Sequence, residues 1–174
     1  MEELVLKAQH GDEQAFTDLI LMLKHDLYKI AKMRIVSNDD IDDAIQETMI
    51  EAFKNIKKLK KIESFKPWII KILINKCNKI YQKKKMNEIT FEEDIDNYLV
   101  HESEHLSEND MDFYLLIKCL NYEERIIVTL YYLECYTTKE ISQILGINEN
   151  TIKTKLARAK MKIKNNYKEE SIWI

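Results

Sequence analysis

Apolar residues recur at helical spacing along most of the chain. Ala15, Phe16, Leu19, Ile20, Leu23, Leu27, Ile30 and Ala31 form the first long stripe, and Asp12 stands where it can cap the helix that carries them. The cluster Val36-Ser37-Asn38-Asp39 breaks that helix. A second is predicted from near Asp40, with Ile41, Ala44, Ile45, Thr48, Met49, Ala52, Phe53 and Ile56 on one side. Its opposite, exposed side carries Asp42, Asp43, Gln46, Glu47 and Glu51. After the lysine-rich stretch Lys57 to Lys61, Pro67 sets the next boundary. Proline fits only the first turn of a helix, so a third helix should start close to Ser64–Pro67. It runs through Trp68, Ile69, Ile72, Leu73 and Lys76 to the basic end Lys83-Lys84-Lys85.

Between residues 86 and 110 the periodicity lapses, which predicts an irregular or largely extended linker. Helical spacing returns at Asp112–Leu120 and again from Tyr122 to about Leu133. Thr137 and Glu140 make a Thr-x-x-Glu capping box that opens a further helix, and Gly146 supplies the positive φ that ends it. Asn148 caps the last helix, from about Glu149 to Asn166. The pattern is all-α: two small helical domains, residues 1–85 and 111–174, joined by a flexible linker over residues 86–110. The second is a four-helix domain that contains a helix-turn-helix. With two Gly and one Pro in 174 residues, a β-rich fold would lack its turn formers.

Charge is segregated along the chain. Residues 1–85 hold 17 Lys and Arg against 13 Asp and Glu, residues 86–112 hold none against 10, and residues 113–174 hold 10 against 7. Two mildly basic modules thus flank a strongly acidic connector, although the whole chain carries a net charge of −3. Cys77, Cys119 and Cys135 are far apart, without a Cys-x-x-Cys pair, and read as buried free thiols in helical stretches of a protein in a reducing compartment. His101 and His105 are spaced i, i+4 but lack a third ligand nearby, so no metal or other cofactor is expected. The acid-bearing N-terminus does not read as a signal peptide, and the run Trp68 to Ile74 is too short to span a bilayer. A cytoplasmic protein is expected.

The stretch TKEISQILGINENTIKTKLARAK, residues 138–160, carries the sharpest local signal. A short helix, a Gly-centred turn and a second helix suit a recognition helix that stands proud of its support. Ile152, Leu156, Ala159 and Ile163 stack on its core face. Asn150, Thr154, Ala157 and Arg158 fall opposite, with Lys153 and Lys155 on the flanks. Short polar groups edged by cations suit a major groove, where Arg can bind guanine edges and Lys can hold phosphates. A solvated basic helix in some other bundle would show the cations without the turn and the two caps.

These residues carry a family resemblance. Ile141-Ser142-Gln143-Ile144-Leu145-Gly146-Ile147 followed by Thr151-Ile152-Lys153-Thr154-Lys155-Leu156-Ala157-Arg158-Ala159 resembles the C-terminal promoter-reading region of bacterial sigma factors. There, Ile-Ala-x-x-Leu-Gly-Ile precedes Thr-Val-Lys-Ser-Arg-Leu-x-Arg-Ala. The stretch from Asp42 to Phe53 is similar to the Asp-Leu-Val-Gln-Glu-Thr-Phe-x-x-Ala-Trp signature with which small sigma factors grip core polymerase. The stretch from Phe65 to Asn75 is similar to their Phe-x-x-Trp-Leu-x-x-Ile-Ala-x-Asn promoter-opening helix. The order and spacing point to the extracytoplasmic-function group. Phe53 stands for the usual Trp, Leu73 for Ala and Lys155 for Arg; the last removes the fork needed for a bidentate contact.

The resemblance implies roles. Asp42, Asp43, Gln46, Glu47 and Glu51 would dock on a cationic coiled coil of the core polymerase. Chemistry alone reads that face as the solvated side of an amphipathic helix; the motif turns the reading to docking. Lys66, Lys71, Lys76, Lys79 and Lys83 would track the opened strand of the minus-ten element, and Asn75 would read a flipped base. Trp68 shares the apolar stripe with Ile72, which places it in the core rather than under a base. Asn150, Lys153, Thr154, Lys155, Ala157 and Arg158 would read or position the minus-thirty-five element. The acidic linker would lie in a basic polymerase channel; a solubilising tether remains the other reading. Partners implied are core polymerase, promoter DNA and an anti-sigma factor. A dimeric two-domain activator would need an effector or phosphoacceptor domain that the pattern lacks. A helical nuclease or nucleotide hydrolase would need a phosphate loop or a metal-carboxylate cluster, also missing from the sequence.

Overall fold

Asp12 starts the first long helix by accepting a hydrogen bond from the Ala15 amide at 2.9 Å, and the apolar stripe behind it carries the helix to Lys32. It belongs to a computed structural model that describes residues 1–35, 37–86 and 107–170. Every element among these residues is helical. The first module comprises α1 (Glu2–Gln9), α2 (Glu13–Lys32), α3 (Asn38–Asn55) and α4 (Phe65–Met86). Two single 3-10 turns, Ile56–Lys58 and Ile62–Ser64, link α3 to α4. The second comprises α5 (Glu108–Ile117), α6 (Tyr122–Tyr132), α7 (Thr138–Leu145) and α8 (Glu149–Glu170). The two form separate compact units, one on each side of residues 87–106.

The core of the first module is the predicted stripe of α2, with Leu19, Leu27 and Ile30 fully buried, closed by Ile41 and Ala44 of α3 and by Phe65, Ile69 and Leu73 of α4. α3 and α4 pack against each other, and α2 packs against both. The second module buries Ile117, Ile127, Leu130, Ile141 and Ile152. Burial on this scale supplies the main stabilising term in each module.

Several expectations need correction. α1 has no counterpart in the sequence reading. It buries Val5 and Ala8, and Gln9 anchors it by donating to the carbonyls of Ile56 (3.0 Å) and Leu59 (2.8 Å). The helix expected from Asp112 starts at Glu108, because Ser107 and Asp110 close a capping box at the end of the acidic stretch. Phe53 is 49% exposed rather than core, with its ring edge against Phe16 at 5.1 Å. Trp68 is half-buried beside Phe65, at 5.9 Å between ring centroids. Of the three thiols only Cys77 is buried; Cys119 is intermediate, and Cys135 is exposed in the α6–α7 turn with φ 56°. Val36, the acidic residues from Glu88 to Glu104, and His101 and His105 lie outside the described residues.

Candidate functional site

Three surfaces hold the residues singled out from the sequence. On α3, Asp42, Asp43, Gln46 and Glu47 are exposed and Glu51 is intermediate. The face is less uniform than its sequence pattern. Ile50 (55% exposed) and Phe53 (49%) lie among the acids, so the outward surface is an apolar pair edged by carboxylates. Ile50 follows Gln46 by four residues and Asp43 by seven, the spacing that would have placed it there. Glu47 and Glu51 lean to the other edge, toward α4, where both meet Lys76 at 3.3 and 2.7 Å.

α4 divides the predicted DNA-facing cations. Lys71, Asn75, Lys79 and Lys83 recur every four residues and are all exposed, forming one continuous polar flank. Lys66 and Lys76 are not on it. Lys66 is tied to Asp26 of α2 at 2.7 Å, and Lys76 to the acids of α3. Hydrogen bonding to Glu51 holds the Lys76 ammonium above the usual lysine range, so the charge persists despite partial burial. Behind this flank Arg34, 6% exposed, donates to the side-chain amide oxygen of Asn78 at 2.6 Å and fixes α4 to the end of α2. Burial pushes the Cys77 thiol up to about 11, which makes it a packing group.

In the second module the starts of α7 and α8 follow the capping residues of the sequence. The Thr137 hydroxyl caps the Glu140 amide, and the Glu140 carboxylate accepts in return from the Thr137 amide at 2.8 Å and hydroxyl at 2.7 Å, which together hold its carboxyl below the usual range. Gly146 ends α7 at φ 69°, in the left-handed region where a side chain is strained. Asn148 accepts from the Asn150 amide at 2.8 Å and opens α8. The Thr138 hydroxyl donates to Glu149 at 2.9 Å, which locks the two helices across the turn.

α8 sorts its faces as the spacing predicts. Ile152, Leu156 and Ala159 are buried and Ile163 is intermediate, while Asn150, Lys153, Thr154, Ala157 and Arg158 are exposed and Lys155 is half-buried. Its cations differ in state. Lys153 pairs with Glu149 at 2.9 Å within the helix, and Lys155 pairs with Glu123 of α6 at 2.5 Å. Arg158 has no ion-pair partner among the described residues. Lys162 meets the buried Glu124 carboxylate at 2.7 and 2.8 Å, pinning the middle of α8 to α6. Among the described residues no group of three or more His, Cys, Asp or Glu is arranged to hold a metal ion. No helix among them is long and apolar enough to cross a membrane.

Known proteins share this arrangement. Residues 19–86 match the family model for Sigma-70 region 2, and residues 110–163 match that for Sigma-70, region 4. The chain is 29% identical over 136 residues to RNA polymerase sigma factor SigV of Bacillus subtilis, covering 78% of this chain and 81% of that protein. It is 28% identical over 179 residues to the ECF RNA polymerase sigma-E factor of Haemophilus influenzae, covering 94% and 93%. Among solved structures, CnrH in complex with the cytosolic domain of CnrY superposes with a TM-score of 0.70 at 18% identity, over 97% of each chain. RpoE from Bartonella quintana, in complex with the anti-sigma factor NepR, gives 0.70 at 20% identity over 88% of this chain and 96% of that one. At these identities the two structures speak for the fold.

Proposed function

Because the chain belongs to the extracytoplasmic-function group of the sigma-70 family, with regions 2 and 4 both present, we propose that it is an alternative sigma factor that directs core polymerase to a specific class of promoters and melts them. Sigma factors are non-catalytic initiation factors that recognise promoters together with RNA polymerase, and the region 4 helix-turn-helix is a DNA-binding element. The observation that carries the finer reading is the division of exposed chemistry between α3, α4 and α8. Each helix offers a different ligand a different surface.

Region 2 spans residues 1–85 in this reading, region 4 spans residues 111–174, and residues 86–110 connect them. The α3 surface docks on the polymerase, with Ile50 and Phe53 contributing apolar area and Asp42, Asp43 and Gln46 complementing cations around it. The flank of Lys71, Asn75, Lys79 and Lys83 tracks the melted minus-ten strand, with the Asn75 amide offering both a donor and an acceptor to a base edge. The outward face of α8 reads the minus-thirty-five element, chiefly through Arg158, with Asn150, Thr154 and Ala157 lining the groove. The acidic connector lies in a basic polymerase channel, where its charge mimics nucleic acid. The protein works in the cytoplasm and is held by an anti-sigma factor, as RpoE from Bartonella quintana is in its complex with NepR.

The docking assignment is tested by association with purified core polymerase. Asp42→Lys and Asp43→Lys together should weaken binding while leaving helicity by circular dichroism unchanged. Wild-type affinity in that variant would remove the α3 face from the interface.

A further inference from the structure

Lys76 follows Ile69, Ile72 and Leu73 by seven, four and three residues, so helical geometry puts it on the stripe of α4 that packs against α3. A lysine there must bury its stem and find a partner for its charge. It does both: the side chain is 13% exposed, and its ammonium lies 2.7 Å from Glu51 and 3.3 Å from Glu47. The carboxylates themselves are 45% and 64% exposed. The cation is thus covered by its acids, while the acids present their outer oxygens to a partner. Its sequence neighbour Asn75 is exposed on the polar flank of the same helix.

We propose that Lys76 is a positioning residue that couples the polymerase-docking face to the DNA-facing flank of region 2. In the free protein it holds Glu47 and Glu51 and is itself unavailable to a phosphate. A cationic polymerase surface that draws those carboxylates outward takes over their neutralisation and releases the Lys76 ammonium, on its flexible stem, toward the strand held beside Asn75. Lys76 and the polymerase compete for the same two carboxylates, so binding of polymerase and of single-stranded DNA must favour one another. Linkage makes the effect reciprocal. The inference rests on the assignment of α3 to the polymerase made above.

Lys76→Met keeps the stem and removes the charge. It should raise affinity for purified core polymerase about fivefold, the lower end of ordinary coupling. It should also abolish the gain in affinity for a labelled random-sequence single-stranded DNA that core binding confers on the wild type. Lys76→Arg should restore that gain, which a purely structural role for the side chain would not require, and thermal melting monitors folding throughout. Glu51→Gln offers an independent route, since loosening Lys76 should strengthen binding of that DNA by the protein without polymerase. Unchanged or weaker core binding by a folded Lys76→Met variant, with Asp43→Lys still impairing it, would overturn the coupling and leave the docking assignment standing. If Asp43→Lys also binds core normally, both fall.

Discussion

Replacing Glu123 by Gln should tighten the hold of region 4 on duplex DNA. Lys155 lies at the edge of the recognition face, 29% exposed, with its ammonium 2.5 Å from the Glu123 carboxylate, which is 64% exposed. To reach a phosphate it must give up that partner. An exposed pair of this kind contributes about 0.2–1 kcal/mol, so its loss offsets much of what a phosphate contact gains. Glu123→Gln removes both the competing partner and a carboxylate that repels the DNA backbone. Affinity should therefore rise about two- to fivefold, and the slope of log K against log salt should steepen by about 0.9, one additional phosphate contact. Arg158 should behave differently. It is exposed and has no ion-pair partner among the described residues, so Arg158→Ala should cost roughly 1–3 kcal/mol and relax preference at one or two positions if it reads a base. The assay is a salt titration of fluorescence anisotropy on a duplex selected from random sequence by the assembled holoenzyme. A Glu123→Gln variant that binds more weakly, or with an unchanged salt slope, would remove Lys155 from the DNA contact set. Wild-type affinity and preference in Arg158→Ala would do the same for Arg158.

Asn75→Ala should lower open-complex formation with little change in closed-complex binding, and permanganate footprinting of melted thymines separates the two; equal melting would take Asn75 out of the minus-ten contact. Neutralising Glu92, Glu93, Asp94 and Asp96 to Asn or Gln should strengthen DNA binding by the free protein, most at low salt, and weaken run-off transcription by the holoenzyme. Unimpaired transcription would leave the connector as a tether. Glu124→Ala removes both the cap on the Asn121 amide (3.2 Å) and the buried acceptor for Lys162, so region 4 should lose about 2–4 kcal/mol and melt earlier in a thermal scan. An unchanged melting curve would show that the α6–α8 tie is not stabilising.

What could be read from the sequence was local. The Thr137–Glu140 box, Gly146 and the Asn148 cap are short-range devices, and they delimit α7 and α8 as expected. The face sorting of α8 follows from spacing alone. α1 was not legible because its anchor, Gln9, bonds carbonyls nearly fifty residues away. The start of α5 was obscured by composition: Ser107 and Asp110 sit in a run of acids that reads as linker, although the Ser-x-x-Asp spacing is itself a start signal. The site lysines show the same limit. Residue type placed Lys66 and Lys76 with the DNA-facing cations, yet their partners, Asp26, Glu47 and Glu51, come from other helices. The position of Lys76 on the apolar stripe was the available warning. Phe53 lies at the edge of its stripe, where periodicity does not separate core from interface.

The most direct test is transcription of fragmented genomic DNA from the source organism by its core polymerase, with and without the purified protein, followed by sequencing of transcript 5′ ends. Addition of the protein should create a discrete set of starts that share one two-part upstream element. That set should shrink with Asp43→Lys and change in its upstream half with Arg158→Ala. If the protein binds core polymerase but adds no starts, or adds starts without a shared element, its assignment as a promoter-specifying sigma factor is contradicted.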